Sequence, residues 1–414
     1  MRILLVNTYD LRGGAARAIW RLFDALKAAG HEASMLVQEK RSKDPNVFIA
    51  ASPGSRLFNP FRPYLDFMIP LFQTRQRVLF STAMLPDRLR NEIDRLNPDV
   101  VHLNWITGGF IKIESLAKIS RPLAWTLHDM WAFTGGCHYT GECNRYLHGC
   151  GKCPLLHSSL ENDLSRRVFL RKQRAYPEIK NLTITTPSGW LAKRVGESPL
   201  LGNRKVVVIP NGLDTSTFRA SGKEAARHRL NLPTGKKIIL FGAIRATENP
   251  LKGFALLVQA LKMLNRRDHQ LVVFGSSSAG KTDISGLDVR FSGQVNNHKM
   301  LIDLYSAADV VAVPSLQEVF GQSATEAMAC GTPVVAFACT GLLDIVIHRE
   351  TGYLAEPFNV EDLSHGIEWV LADEQRRLQL GGTARAIAVE RFDSTVVAEK
   401  MIRIYQGAID ANKL

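Results

Sequence analysis

Two glutamates eight residues apart, Glu318 and Glu326, carry the clearest chemical signal in the sequence. They lie in a segment, PSLQEVFGQSATEAMACGTP, in which an apolar run ends, a loop follows and a helical pattern begins near Gly321. A helix start offers unpaired backbone N–H groups and the positive end of a dipole, and both favour an anionic diphosphate. Both carboxylates can accept hydrogen bonds from sugar hydroxyls. The alternative is that these acids simply complement the helix dipole.

Other residues that could bind a ligand also follow apolar runs. They are Gly13, Gly14, His128, Arg245 and Lys252. Glycines at a helix start let a ligand approach the backbone, and strand ends place side chains at the ligand-binding edge of an α/β sheet. Each has a structural alternative: a tight turn for the glycines, a satisfied polar group for the histidine, and solvated charge for the two cations.

The pattern Glu-Val-Phe-Gly…Glu-Ala-Met-Ala-Cys-Gly-Thr-Pro-Val-Val-Ala resembles the signature of retaining GT-B glycosyltransferases of family four. The resemblance implies an α/β protein of two Rossmann-like domains facing a cleft, with a nucleotide sugar held mainly by the second domain. It implies that Glu318 contacts the transferred sugar and that Glu326 contacts the ribose hydroxyls. It also places the backbone amides of Phe320, Gly321 and Gln322 near the sugar and the phosphates.

The resemblance extends to other loops of the second half. It implies that Lys252 and Arg245 neutralise the donor diphosphate, which gains charge as the glycosidic bond breaks. Arg245 stands two positions later than the family's commonest arginine. Val295 ends the segment FSGQV, which resembles the loop beside the nucleotide base.

In the first half, the resemblance implies that Gly13 and Gly14 lie near the reacting sugar and the acceptor. It also implies that His128 hydrogen-bonds the donor sugar, so His128 and Glu318 are the residues assigned to catalysis. Retention in the family is described as front-face displacement, in which the departing phosphate oxygen helps to deprotonate the acceptor. The sequence has no Asp-x-Asp motif in a convincing place, and we therefore predict no catalytic metal.

Four of the six cysteines cluster in one short segment: Cys137, Cys143, Cys150 and Cys153. The last two form a Cys-x-x-Cys pair, whose spacing suits tetrahedral zinc, and a reducing cytosol disfavours disulfides. We predict a structural zinc ion, with His138 or His148 as a substitute for Cys143; reduced thiols and disulfides are the alternatives. The segment from His128 to Pro154 also resembles a subset of polysaccharide transferases related to colanic acid synthesis.

The elements that position these residues alternate along all 414 residues, as short apolar runs separated by helical segments. This order predicts parallel sheets with crossover helices. The pattern occurs twice, with a joint near Pro210-Asn211-Gly212. We assign residues 1–204 to an acceptor-side domain and 205–393, beginning with the strand Val206–Ile209, to a donor-binding domain. Residues 394–414 form a last helix that packs back on the first domain.

Composition restricts which classes of partner and which cellular compartment we expect. The net charge of +13 favours anionic partners, but no segment resembles a nucleic-acid module, so we predict no nucleic-acid binding. No apolar run could span a bilayer, and the first residues read as a strand rather than a signal peptide, which predicts a cytoplasmic protein. The apolar and basic segment Leu57–Leu85 suits peripheral contact with the inner face of the plasma membrane. A cover over the acceptor cleft is the alternative.

Together these features predict a retaining glycosyltransferase of surface polysaccharide biosynthesis. It would move a sugar from a UDP- or GDP-sugar to a glycan or polyprenyl-linked acceptor. The alternative from another class is a non-catalytic nucleotide-binding or sensor protein on the same fold. A GT-B phosphorylase would need a cofactor-lysine site that we do not find. A dinucleotide enzyme would need Gly-x-Gly-x-x-Gly, where this chain has Gly-Gly-Ala-Ala after its first strand.

Overall fold

The computed structural model describes residues 1–50, 58–70, 79–264, 268–295 and 297–412. The chain forms two units. The first comprises Met1–Pro210 and Val397–Leu414, and the second comprises Asn211–Val396. Each unit is built on a parallel sheet with helices between most successive strands, so the predicted α/β class is confirmed.

The strands of both sheets are short and mostly buried. The first unit contains β1 (Arg2–Tyr9), β2 (Glu32–Glu39), β3 (Val47–Ile49), β4 (Val100–Leu103), β5 (Leu123–Thr126), β6 (Leu182–Thr186) and β7 (Val206–Val208). The second contains β8 (Lys237–Gly242), β9 (His269–Phe274), β10 (Val289–Phe291), β11 (Val310–Val313), β12 (Val334–Phe337) and β13 (Gly352–Ala355). Their order in the described residues is β3-β2-β1-β4-β5-β6-β7 and β10-β9-β8-β11-β12-β13.

The described helices cover both faces of these sheets. In the first unit they are α1 (Gly14–Ala28), α2 (Arg62–Met68), α3 (Leu89–Leu96), α4 (Leu164–Ala175) and α5 (Gly189–Gly196). In the second they are α6 (Lys223–Arg229), α7 (Phe254–Lys262), α8 (His298–Ala307), α9 (Gln322–Ala329), α10 (Val360–Ala372) and α11 (Glu374–Phe392), followed by α12 (Ser394–Ala411). Within the ranges given above, no helix combines the length and the apolar character that crossing a membrane requires.

Central strands are apolar without alternation because helices cover both faces of each sheet. In β1 the six residues from Ile3 to Thr8 are all buried, and β11 is buried throughout. The hydrophobic core around β1 also contains four residues of α12, namely Val397, Ala398, Met401 and Tyr405. The last helix therefore completes the first unit, although it follows the second in the chain.

The assigned boundary at residues 204 and 205 is too early, whereas the joint predicted near Pro210-Asn211-Gly212 agrees with the structure. Strand β7 pairs in parallel with β6, with Thr185 opposite Val207, so it is the last strand of the first sheet. The second unit begins at Asn211. A run of valines indicates a strand but does not specify its neighbour, because pairing depends on residues far away in sequence.

Candidate functional site

The chain order of the second sheet reverses between β8 and β11. Strands β9 and β10 extend the sheet on one side, and β12 and β13 extend it on the other. At such a switch point the loops after the two central strands diverge, and ligands of open α/β sheets bind there. Lys252 follows β8 and Glu318 follows β11, and Lys252 Nζ lies 2.5 Å from Glu318 Oε2. This ion pair joins the two loops at the switch point.

Backbone contacts fix the position of Lys252. The Leu316 N–H donates to the Leu251 carbonyl oxygen at 2.8 Å, which ties the loop after β11 to the loop after β8. Gly253 has φ of +71°, and a Cβ atom there would lie 1.9 Å from the Pro314 carbonyl oxygen. Only glycine allows this approach. The local sequence Lys-Gly-Phe thus holds the lysine beside Glu318.

Helix α9 begins beside the same loop. Gly321 is its N-cap residue, with φ of +100°, and provides no capping side chain. A Cβ atom at Gly321 would lie 2.8 Å from Leu342 Cδ2. The preceding Phe320 is buried and packs edge-on against Phe392, with ring centroids 5.8 Å apart. The positive end of the helix therefore lies next to the loop that carries Glu318, an arrangement suited to an anion.

Glu326 lies on α9 in a different environment from Glu318. Its side chain is buried, and Tyr305 Oη donates a hydrogen bond to Glu326 Oε2 at 2.9 Å. Glu318 is part-exposed and paired with a lysine. The two carboxylates thus share one loop-helix segment, but Glu326 is held within the interior of the unit.

Two of the residues expected at this site are not brought to the lysine–glutamate pair by their side chains. Arg245 faces solvent and pairs with Glu248, Nε to Oε2 2.7 Å, at 71% side-chain exposure. Val295 packs in the core of the unit. Its neighbour Gln294, which sequence reasoning missed, donates from Nε2 to the Gly275 carbonyl oxygen at 2.8 Å and joins the loops after β9 and β10.

In the first sheet the corresponding reversal lies between β1 and β4. Gly13 is the N-cap residue of α1 with φ of +96°, and Gly14 is the first residue of that helix. His128 lies beyond β5, and its Nε2–H donates to Asn104 Oδ1 at 3.2 Å, a tautomer that we assign from this partner. Burial lowers the pKa of His128 to about 4, against the opposing charge of Asp129. His128 is therefore a neutral hydrogen-bonding group at physiological pH.

A buried polar network follows His128. Asp129 Oδ2 accepts hydrogen bonds from Trp105 Nε1 at 2.7 Å and from His138 Nδ1 at 2.6 Å. Ser81 Oγ lies 3.1 Å from His138 Nε2, which gives a Ser-His-Asp order of contacts. Ser81 and His138 are completely buried, so no substrate reaches the hydroxyl and the network is structural. Sequence reasoning missed it because its members are up to 57 residues apart.

The chain matches known sequence families along nearly its whole length. Residues 12–217 match the family described as Glycosyltransferase Family 4, and residues 222–387 match Glycosyl transferases group 1. A D-inositol 3-phosphate glycosyltransferase of an Arthrobacter species is 32% identical over 415 residues, which cover 96% of this chain and 91% of that protein. The chain belongs to glycosyltransferase family 4.

Other relatives match this chain over a shorter span. The enzyme of the same name from Xylanimonas cellulosilytica is 38% identical over 221 residues, 49% of this chain and 52% of the relative. The chain thus spans about half the length of several curated relatives that it matches.

Solved structures show that the fold is GT-B. Sucrose-phosphate synthase from Thermosynechococcus elongatus superposes with a TM-score of 0.71 at 22% identity, covering 99% of both chains. Anabaena HepE in complex with UDP-glucose superposes with a TM-score of 0.65 at 18% identity, covering 98% of this chain and 99% of that one.

The four clustered cysteines, Cys137, Cys143, Cys150 and Cys153, converge. All four line one cavity of about 20 Å³ in the first unit. None forms a disulfide, and burial raises the pKa of Cys137 and Cys150 to about 12. In the described parts of the chain, no three metal-ligating side chains stand in an arrangement that would hold an ion. In this structure the four cysteines are therefore neighbouring thiols around one cavity, without the geometry of metal ligands.

The structure contradicts the substitution of a cysteine by either histidine. Both ring nitrogens of His138 have partners, Asp129 and Ser81. His148 is exposed and is not among the residues that line the cavity. Cys143, the residue that a histidine was expected to replace, does line it.

The apolar and basic segment predicted for membrane contact is described only in part, because Leu57 and residues 71–78 lie outside the described residues. Helix α2 is anchored by buried Asp66, whose Oδ1 accepts from the Thr82 N–H at 2.9 Å and whose Oδ2 accepts from the Gly109 N–H at 3.0 Å. Large apolar side chains around this helix are exposed: Phe58, Phe61, Tyr64, Leu65 and Met68. A cavity of about 170 Å³ beside α2 is lined in part by Arg62 and Arg88.

Proposed function

We propose that this protein transfers a sugar from a nucleotide-diphospho-sugar to an acceptor hydroxyl with retention of the anomeric configuration. The observation that carries the proposal is the Lys252–Glu318 pair, 2.5 Å apart, at the switch point of the second sheet and beside the start of α9. A bound donor would place its diphosphate between the lysine and the helix N-terminus. Its sugar hydroxyls would then lie within reach of Glu318.

In the proposed reaction one bond breaks and another forms on the same face of the sugar. The bond between the anomeric carbon and the diphosphate oxygen breaks, and the acceptor oxygen bonds to the same carbon. The acceptor proton passes to the departing phosphate oxygen. Lys252 stabilises the charge that grows on the nucleoside diphosphate, which is the main electrostatic demand of the transition state. The role of His128 towards the donor sugar stays a prediction, and a neutral ring would act there as a hydrogen-bonding group rather than as a cation.

The donor class is supported by the charge of the site and by structural neighbours. Anabaena HepE has been captured with UDP and with UDP-glucose. We therefore place UDP-sugars first among the donors to be tested, followed by GDP-sugars. The contact between Glu326 and the ribose hydroxyls stays a prediction, and it would require the buried Glu326 side chain, which accepts from Tyr305 Oη at Oε2, to become accessible.

Two acceptor classes have separate support. A glycan or lipid-linked acceptor in surface polysaccharide biosynthesis at the inner face of the plasma membrane agrees with the exposed side chains of Phe61, Tyr64 and Leu65 on or next to α2. A phosphorylated polyol agrees with the relatives named D-inositol 3-phosphate glycosyltransferase. Arg88, which lines the cavity beside α2, would supply a cation for such a phosphate. The colanic-acid-type subset stays a prediction within the first class.

The test is a donor and acceptor panel read out by nucleotide release and by NMR of the product. We expect release from one donor, accelerated by one acceptor class, and a product with the donor's anomeric configuration. Lys252→Ala should lose most of this activity. Lys262→Ala is the matched control, because Lys262 is a lysine on α7 whose partner is the exposed Asp283. Nucleotide binding without turnover of any donor would instead identify a non-catalytic nucleotide-binding protein, and an inverted product would exclude retention.

A further inference from the structure

The loop that joins β5 to α4 is unusually long for a compact domain. It runs from Leu127 to Asp163, and its described regular structure consists of short 3-10 turns at Trp131–Phe133, Arg145–His148 and Pro154–Leu156. Loops beyond about 12–15 residues without their own secondary structure usually have a functional or stabilising reason. We propose that Cys137, Cys143, Cys150 and Cys153 of this loop bind one structural zinc ion. The proposal does not depend on the reaction proposed above.

The four thiols converge. Four thiols from a 3-10-rich loop line a single cavity of about 20 Å³, which has room for one ion-sized or water-sized occupant. Cys150 and Cys153 approach it through a turn in which Cys150, Gly151 and Lys152 all have positive φ, at 61°, 96° and 44°. Non-glycine residues rarely adopt this conformation. Hydrogen bonds from the Cys150 N–H to the Arg145 carbonyl oxygen and from the Lys152 N–H to the Leu160 carbonyl oxygen hold this turn in place.

A buried positive charge lies next to the cluster. Lys172 of α4 is fully buried, and its Nζ donates to the carbonyl oxygens of Trp131 and Thr134. It also lies 3.8 Å from the centre of the Trp131 ring, and it interacts electrostatically with Cys137 and Cys150. The carboxylate of Asp129 also interacts with it electrostatically. A zinc ion with four thiolates carries a net charge of minus two, for which Lys172 provides a neighbouring counter-charge.

The donor set selects the metal. Four sulfur ligands in a tetrahedral arrangement suit zinc or iron, and closed Cys₄ zinc sites are structural because no coordination position is open to a substrate. Closing the site requires the four side chains to draw together around the ion, since they do not stand at ligating geometry as described. Metal binding would thereby fix the loop that includes His138, the partner of Asp129.

The primary test uses the wild-type protein, purified without a His-tag under reducing conditions. We expect elemental analysis to give about one zinc per chain and X-ray absorption to show sulfur-only coordination at about 2.3 Å. In the native state, the four cluster thiols should resist modification until a chelator removes the metal. Metal-free protein in which all four cluster thiols react, two disulfides detected by mass spectrometry, or iron in place of zinc would each overturn the assignment.

Variants separate coordination from general folding. Cys143→Ala should lose zinc, whereas Cys143→His should retain it because Cys₃His is also a structural zinc set. Cys339→Ser is the control, since this cysteine lies in the other unit and outside the cavity. Lys172→Met should weaken zinc binding about 10–100-fold, as expected for an outer-shell partner, measured by competition with a chelator. Equal zinc content in Cys143→Ala and wild type would contradict the four-cysteine site.

Discussion

At the scale of single residues, the ion pair between Lys252 and Glu318 is the central feature of the donor site. Both side chains are partly buried, with 24% and 19% exposure, so dissolved salt screens their attraction less than that of a surface ion pair. A donor that binds here must replace the lysine–carboxylate contact with a lysine–phosphate contact. Removing the lysine therefore does two things: it deletes the cation, and it leaves Glu318 unpaired near the diphosphate.

We predict that Lys252→Ala weakens binding of the nucleoside diphosphate by at least about tenfold. A lost hydrogen bond to a charged group costs about 1.5–3 kcal/mol, and repulsion from the unpaired Glu318 adds to it. Isothermal titration calorimetry with UDP and GDP gives the affinities. Lys262→Ala should bind like wild type because its partner, Asp283, lies on the exposed surface. Equal affinities for both variants would remove Lys252 from the site.

The residue scale also shows which site residues the sequence could predict. Lys252, Glu318 and Gly321 lie within a continuous motif or directly after a strand, so their positions follow from local pattern. The side-chain direction of Arg245 does not, because its partner Glu248 is a competing neighbour three residues away. Asn104, which contacts His128, carries no local signal, since the contact depends on the pairing of β4 with β5.

At the scale of elements, close approach of two loops sets the geometry of the donor site. We predict that Gly253→Ala separates the loop after β8 from the loop after β11, because the new Cβ would lie 1.9 Å from the Pro314 carbonyl oxygen at a φ of +71°. The overall fold should remain, but donor affinity should fall about tenfold or more as Lys252 moves away from Glu318. Circular dichroism and calorimetry measure the two effects separately.

Gly235→Ala is the matched control for this substitution. Gly235 lies in the same unit, and a Cβ atom added there would have no other atom within 4 Å and would need no positive φ. Its substitution should leave donor affinity unchanged. If Gly253→Ala binds the donor as well as Gly235→Ala does, the two loops do not need their close approach.

Helix α12 is joined to the first sheet by a buried hydrogen bond. Tyr405 Oη donates to His102 Nδ1 at 2.7 Å, and His102 Nε2 contacts Thr126 Oγ1 at 2.6 Å. We predict that Tyr405→Phe lowers the free energy of unfolding by about 1–3 kcal/mol, because it leaves a buried acceptor without a donor. Urea denaturation measures the change. The exposed Tyr64→Phe should be neutral, and equal stability of the two variants would contradict the prediction.

Elements differ in how far the sequence predicts them. The identities of most strands and of α12 follow from apolar runs and helical periodicity. Membership in a sheet does not, as β7 demonstrates: its three valines read equally well as the last strand of one sheet or the first strand of the next. Only the register with β6, which pairs Ile184 with Val206, assigns it to the first unit.

At the scale of the whole molecule, two buried histidines make stability depend on pH. Burial lowers the pKa of His102 to about 3 and that of His128 to about 4, while unfolded histidine titrates near 6.5. Below about pH 6.5 the unfolded chain takes up protons that the folded chain does not, so the unfolded state gains stability as pH falls. Their contribution to folding is thus complete above about pH 6.5 and is lost between there and about pH 3–4.

We predict that the urea midpoint of the wild type falls between pH 7 and pH 4.5 and that His102→Gln reduces this fall. The reason is that glutamine takes up no proton on unfolding, so one of the two titrations disappears. Urea titrations at four pH values measure the slope, and the slope rather than the absolute stability is decisive. An unchanged slope in His102→Gln would show that His102 does not contribute to the acid sensitivity.

The positive groups of the donor site predict whether sugar transfer requires a divalent metal ion. The diphosphate would meet Lys252 and the start of α9, which supply the positive charge that a divalent cation provides in other transferases. The sequence also contains no Asp-x-Asp motif in a suitable loop. We therefore predict transfer without added magnesium or manganese.

The measurement is product formation after treatment with EDTA, followed by addition of single metals. Activity should persist when free magnesium and manganese are removed. If EDTA also removes the proposed zinc, activity should fall slowly as the loop between β5 and α4 loses its ordered structure. Zinc alone should then restore the activity. Cys143→Ala distinguishes the two effects, because a variant that binds no zinc should show no slow fall in activity when EDTA is added. Rapid loss of activity with EDTA and full recovery with magnesium would mean that the donor diphosphate needs a catalytic metal, and Lys252 would then be a secondary contact.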